Sequence, residues 1–299
     1  MRTRNIGFAL FVGVSCLVFW GPLRSLARLS WENDSYSHVI LIPIISSLLI
    51  YLERKRVFAA VHHCTGGGTL LFGAGIVSFY LGRDRFFSLD RADSLALLTL
   101  SLVFVWIAGF NLFYGIQASR SAVFPLLFLF LTIPVPSFLL ARIVLALQQG
   151  SAEMLGVLFR IAGVPFFRSG FVFSLPGVNI EIARQCSGIR SSIALLITVL
   201  LAGHFFLRAA WRKMSLIVFI IPIVVLKNAL RIATISWLSV YVNRGFLTGR
   251  LHHYGGIPFS VLSVAILAPI LYWLQRSEKC APRQKRGDEA VLPEHSTAR

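Results

Sequence analysis

Three residues of this chain have the side chains that a thiol acyl-transfer reaction uses: Cys186, Arg231 and His252. Cys186 sits in the string Ala183-Arg184-Gln185-Cys186-Ser187-Gly188-Ile189-Arg190, at the mouth of an apolar run. A lone cysteine is most often a small inert hydrophobe. Here Arg184 and Arg190 bracket the thiol and a helix is expected to start directly after it. A thiol at a helix N-terminus beside cations has a lowered pKa, and the thiolate is the nucleophile. Gly188 lets other groups approach the backbone at this point.

Arg231 interrupts the apolar run 216–242. An ionisable residue inside a membrane segment is expensive and marks a functional site by default, unless the side chain snorkels to the interface. Asn228 precedes it by three positions and so shares its helical face. Lys227 is expected to point elsewhere and to be the one that snorkels. A guanidinium suits the oxyanion formed when a thiolate attacks a carbonyl, because it stays charged and donates from a fixed fork. His252 and His253 are adjacent in a loop. Only one can be the acid/base; the plain alternative is two solvated histidines without a role.

These elements, in this order, resemble the exosortase/archaeosortase family of membrane-embedded cysteine proteases and transpeptidases. The family carries a Cys-Ser-Gly-[Leu/Ile]-Arg string, matched in full by Cys186, Ser187, Gly188, Ile189 and Arg190. It carries an Asn-x-x-Arg element, matched by Asn228 and Arg231, with the arginine as partner of the cysteine. It shows a histidine followed by Gly four residues on and Phe near the next helix start, which Gly256 and Phe259 supply for His252 but which His253 does not fit. The family often has an acidic residue directly after the histidine, where this chain has His253, so the choice between the two stays open. Tyr36-Ser37-His38 is similar to a family stretch ending in Gly, replaced here by Val39; His38 reads as a substrate-side or structural residue.

The resemblance implies a substrate: an exported protein with a C-terminal sorting signal made of a short motif (Pro-Glu-Pro in exosortase systems), a membrane helix and a basic end. It implies that Cys186 attacks the scissile peptide to leave a thioacyl-enzyme, that Arg231 holds the oxyanion, and that His252 protonates the leaving amine. Water as the final acceptor makes the protein a protease and another nucleophile makes it a transpeptidase; both stand. The chemistry needs no cofactor and no metal.

Composition agrees with a membrane setting. Of 299 residues, 56% are hydrophobic and 14% charged, against about 45–50% and about 25% in soluble domains. The net charge of +17 could suggest nucleic acid, but the basic residues cluster at the ends of apolar runs: Arg2 and Arg4; Arg54, Lys55 and Arg56; Arg208, Arg212 and Lys213; and Arg276, Lys279, Arg283, Lys285 and Arg286. That is the positive-inside pattern, and it accounts for the charge without a nucleic-acid ligand. Four cysteines, Cys16, Cys64, Cys186 and Cys280, are too scattered for a disulfide framework. His62, His63 and Cys64 read as solvated loop residues rather than a metal site.

The fold expected is an all-α polytopic membrane domain over residues 1–275, followed by a basic, disordered cytoplasmic tail over 276–299. About eight transmembrane helices are read at 6–23, 37–52, 67–81, 94–114, 122–132, 189–207, 214–242 and 257–274. The first run exceeds the usual signal-peptide core of about 7–15 residues, so a retained anchor is expected. Segment 137–161 has helical apolar spacing broken by Gln148, Gln149 and Gly150, suiting an interfacial helix or one that dips into the membrane. Residues 166–182 alternate around Pro176-Gly177, a β-hairpin signal that delivers the chain to Cys186. With the basic N-terminus inside the plasma membrane, Cys186 and His252 fall on the periplasmic or exterior face.

Three other classes are weaker. A transporter predicts paired ionisable residues near the midplane of several helices. A rhomboid-type serine protease needs Gly-x-Ser-Gly, and Gln185-Cys186-Ser187-Gly188 lacks the first glycine. A non-catalytic assembly factor for exopolysaccharide or envelope export would not need the thiol.

Overall fold

The computed structural model describes residues 2–59, 66–83, 89–241 and 256–280. Its helices are α1 (Arg2–Val18), α2 (Trp20–Glu32), α3 (Leu41–Leu52), α4 (Arg54–Val57), α5 (Gly66–Arg83), α6 (Arg91–Ser121), α7 (Val123–Phe128), α8 (Ser137–Ile161), α9 (Ile189–Phe206), α10 (Ala210–Val218), α11 (Ile220–Tyr241) and α12 (Gly256–Cys280). Three strands, β1 (Phe167–Ser169), β2 (Val172–Leu175) and β3 (Val178–Glu181), form the only sheet among the described residues. The architecture is that of an all-α polytopic membrane protein with one small sheet.

The described residues do not confirm the eight spans expected from the sequence. By length and composition, five described segments can cross a bilayer: α6, α8, α9, α10 with α11, and most of α12. The pair α1 and α2 makes a sixth if a bend of 78° is taken within one span. Pro22 accounts for that bend, since its ring clashes with the carbonyl four residues back, at Val18, where α1 ends. Segment 37–52 yields only the 12 residues of α3, and 122–132 splits into α7 and a 3-10 turn, Leu129–Thr132. Six glycines in α5 dilute its apolar character. Conversely α8, in the segment expected to be interfacial or to dip into the membrane, runs 25 residues.

The N-terminal half is built around α6. Val103, Ile107, Phe110 and Tyr114 on that helix are buried together with Val57, Ala122 and Leu126. Glycines on α5 allow it to lie close against α6, where Ser101 Oγ donates to the Gly75 carbonyl at 2.7 Å and Ser94 Oγ to the Gly82 carbonyl at 2.6 Å. Small residues at a membrane helix interface permit this approach.

The C-terminal half holds the candidate site. The sheet is antiparallel in the order β1-β2-β3, with Phe173 opposite Ile180 and the Pro176-Gly177 turn joining β2 to β3. Alternation along β2 turns Phe173 and Leu175 inward, onto Ala152, Leu155 and Phe159 of α8 and Ala229 and Ile232 of α11. A second core joins α9, α10, α11 and α12 through Leu195, Val199, Leu216, Val224, Leu267 and Leu274. Glu278 of α12 closes the far end of this group: its carboxylate accepts from the backbone N–H of Arg208 (3.0 Å) and of Ala209 (2.7 Å), at the start of α10.

The halves are joined along α3 and α9. Glu53, just past α3, meets His204 near the end of α9 at 2.5 Å, and the His204 ring stacks on Phe124 of α7 at 3.9 Å. At the other end of α3, the turn Asp34–Tyr36 packs against α9.

Candidate functional site

Cys186 lies in the 3-10 turn Arg184–Ser187, which follows β3 and packs on α8. Gly188 comes next, in the left-handed region at φ 76°, and serves as the N-terminal boundary of α9. Its carbonyl is held three times over: it accepts from Ser192 N at 3.0 Å, Ser191 Oγ at 2.9 Å and Ser192 Oγ at 2.8 Å. Turn and helix start are therefore fixed relative to each other. Arg184 and Arg190 are exposed, while Ser187 is fully buried and its hydroxyl has no hydrogen-bond partner among the described residues.

The glycine is needed at 188 for more than its dihedral. A Cβ there would stand 3.1 Å from Asn228 Oδ1 and 3.3 Å from Asn228 Cγ. The Cys-Ser-Gly turn is thus docked directly on the Asn-x-x-Arg face of α11, and two motifs 40 residues apart in the chain, as Gly188 and Asn228 are numbered, meet in space. Asn228 is fully buried and its Nδ2 donates to Ser151 Oγ of α8 at 2.9 Å. One turn earlier on α8, Gln148 Nε2 donates to the Ile182 carbonyl at 2.8 Å, fixing the exit of β3. Gln148 and Ser151 share a helical face, so one stripe of α8 holds both the strand leading to Cys186 and the helix carrying Arg231. In the sequence Gln148 reads as a break in an apolar face; it is instead that face's buried polar contact to the strand exit. The signal that would have found it is its register with Val144, Ser151 and Leu155, all buried.

Arg231 is half-buried on α11, one turn beyond Lys227. Lys227 corrects the expectation that it snorkels. It is 3% exposed and its Nζ donates to Ser191 Oγ on the first turn of α9. An ionisable group at membrane depth costs about 2.5–3.5 kcal/mol, and a hydrogen bond to a charged group returns about 1.5–3 kcal/mol, so the pairing offsets most of the cost without making it a gain. Spacing carried the clue: Lys227 and Arg231 are four apart and share a face, whereas adjacency to Asn228 suggested divergence.

His252 and His253 lie outside the described residues, as do His62, His63 and Cys64. Helix α12 begins at Gly256, and its first turns stand beside those of α9: Ser260 and Ser263 face Ser191 and Ala194 across a cleft of about 610 Å³. The structure therefore brings together the Cys186 turn, Gly188, Asn228 and the helix of Arg231, and places the start of the helix that follows His252 next to them. His38 occupies the turn before α3, half-buried; burial pushes its imidazole below the usual histidine range, and a hydrogen bond with the Ser35 backbone pulls the other way.

Comparison with known proteins matches residues 31–269 to the model of the family described as transmembrane exosortase (Exosortase_EpsH). No curated protein and no solved structure matches the chain. The match spans the Tyr36-Ser37-His38 turn, the Cys186 string, Asn228, Arg231 and both candidate histidines, and covers well over half of the sequence. The chain belongs to the transmembrane exosortase family.

Proposed function

We propose that this protein is a cysteine endopeptidase or transpeptidase of the plasma (inner) membrane, which cuts the C-terminal sorting signal of exported proteins on the exterior or periplasmic side. Membership of the family supports membrane transpeptidase or protease chemistry at the family level. The observation that carries the reading for this chain is the docking of Gly188 on Asn228, which sets the Cys186 turn against the helix of Arg231. A transporter or assembly factor has no need to hold a cysteine-bearing turn against an intramembrane arginine helix.

In the mechanism, Cys186 thiolate attacks the scissile carbonyl, the carbon–nitrogen bond breaks, and the membrane-anchored fragment leaves as an amine protonated by His252 or His253. Arg231 donates to the oxyanion formed on the way. The thioacyl-enzyme is then resolved by water or by an amine acceptor, whose proton the same imidazole removes. Splitting one hard step into two easier ones is covalent catalysis. Ser187 and Arg190 line the turn, and His38 serves the substrate side or the structure of the α3 turn. Orientation follows from charge: Arg208, Arg212 and Lys213 cluster just beyond the C-terminal end of α9, and the positive-inside rule puts them in the cytoplasm and Cys186, at the other end, outside.

Co-expression with an exported reporter ending in a Pro-Glu-Pro motif, an apolar helix and a basic end tests the proposal. The wild-type protein should shorten the reporter and Cys186→Ala should leave the full-length precursor in the membrane. Equal processing by both proteins would sink the enzyme reading, and no processing of any tagged signal by the wild type would favour the assembly factor.

A further inference from the structure

We propose that Lys227 is a positioning residue of the acyl-transfer site: it holds the first turn of α9 and, through that turn, the segment bearing Cys186. This inference rests on Cys186 being the nucleophile. Lys227 is buried on α11, and its ammonium donates to Ser191 Oγ. Ser191 Oγ in turn donates to the Gly188 carbonyl at 2.9 Å. Accepting from the lysine orients the hydroxyl so that its proton points at that carbonyl, and the chain of bonds runs from α11 to the residue that ends the Cys186 turn. Asn228, the next residue of α11, supports the same glycine from its Cα side. Adjacent residues of one helix thus grip Gly188 at two points, one on its α-carbon and one through its carbonyl.

Stability alone does not explain a lysine here. Among the described residues no carboxylate pairs with it. Its neighbour one turn on is Arg231, and like charges four apart on a helix repel. A methionine would fill the same volume without burying a charge, and replacing buried ionic groups by apolar ones of similar shape is often neutral or stabilising. A residue that local energetics disfavours, in a bond chain that ends at the nucleophile's turn, marks a functional constraint.

The test uses the full-length protein in nanodiscs, with three single variants and one double variant, read by steady-state kinetics, thermal stability and hydrogen exchange. Lys227→Met should lower the turnover rate for a tagged substrate about ten- to a hundredfold, the range expected for sub-ångström to ångström misplacement of a reacting group. Apparent KM should hold, and thermal stability should be unchanged or raised, which a merely structural lysine would not allow. Lys227→Arg, which keeps a charged donor, should retain more of the rate than Lys227→Met. Ser191→Ala, a small change that cannot prevent insertion, should lower the rate similarly, and adding Lys227→Met to it should cost no more, because both act through one chain of bonds. Hydrogen exchange in a peptide covering 184–192 should rise in both variants and be unchanged elsewhere. Wild-type turnover in Lys227→Met, multiplicative losses in the double variant, or unaltered exchange in 184–192 would each overturn the inference. The exchange result does not depend on any substrate, so a wild-type protein that processes nothing would sink the proposed function while exchange still decided whether Lys227 holds the turn.

Discussion

Gly188 and Asn228 are packed so closely that a side chain on the first would have to push the second aside: the missing Cβ would lie 3.1 Å from the amide oxygen of Asn228. Gly188 also adopts φ 76°, where a Cβ costs about 1–2 kcal/mol. Gly188→Ala is therefore strained by both backbone and neighbour. It should insert in the membrane at reduced thermal stability and process a tagged precursor far more slowly than wild type. Combining it with Asn228→Ala removes the neighbour's share of the strain, so the double variant should be more stable than the sum of the single effects, a coupling readable by thermal denaturation in detergent. Additive losses would mean the two residues do not press on each other.

Gln148→Leu removes the donor that holds the Ile182 carbonyl at 2.8 Å. Leaving a buried acceptor without its partner costs about 1–3 kcal/mol. Thermal stability should fall by an amount of that order and precursor cleavage should slow. A Gln148→Leu protein with wild-type stability would show that α8 does not fix the exit of β3.

Arg231→Lys keeps the charge and loses the fork. If Arg231 holds the oxyanion, processing should fall about 10²–10³-fold, the usual worth of one oxyanion donor, with expression and insertion unchanged. Wild-type cleavage in this variant alongside a dead Lys227→Ala would transfer the role to the other cation on that face.

His252→Ala should abolish processing and His253→Ala should only reduce it, because Gly256 and Phe259 stand at the family spacing from His252. Side-by-side cleavage assays decide the matter. An inactive His253→Ala moves the acid/base by one position, and two active variants remove histidine from the mechanism.

The candidate site was legible as a set of motifs because these are local and chemically unusual. Cys186 beside two arginines, a glycine two residues on, and Asn228 three before Arg231 are visible in the sequence itself, and the family resemblance singles them out. What spacing could not give is which side chains meet across helices. Lys227 looked like a snorkelling residue since hydropathy sees a charge in an apolar run, not the Ser191 hydroxyl that receives it. Gln148 looked like a fault in an apolar stripe because its partner is a backbone carbonyl from a different element. The count of eight spans is not matched by length and composition among the described residues for a related reason: hydropathy registers neither the bend set by Pro22 nor the shortness of α3. Segment 166–182 forms three strands around the turns at Gly170 and Gly177, both at positive φ, where alternation had suggested two.

In the proposed mechanism Cys186 carries the substrate as a thioester. Incubating the purified protein with a tagged precursor, quenching in acid and analysing the intact enzyme and its Cys186 peptide by mass spectrometry measures this directly. If Cys186 is the nucleophile, an adduct equal in mass to the N-terminal fragment of the precursor forms on Cys186, is released by neutral hydroxylamine, is enriched in a variant slowed at the second step and is absent from Cys186→Ala. Cleavage of the precursor by Cys186→Ala at the wild-type rate, with no adduct on either protein, would contradict it.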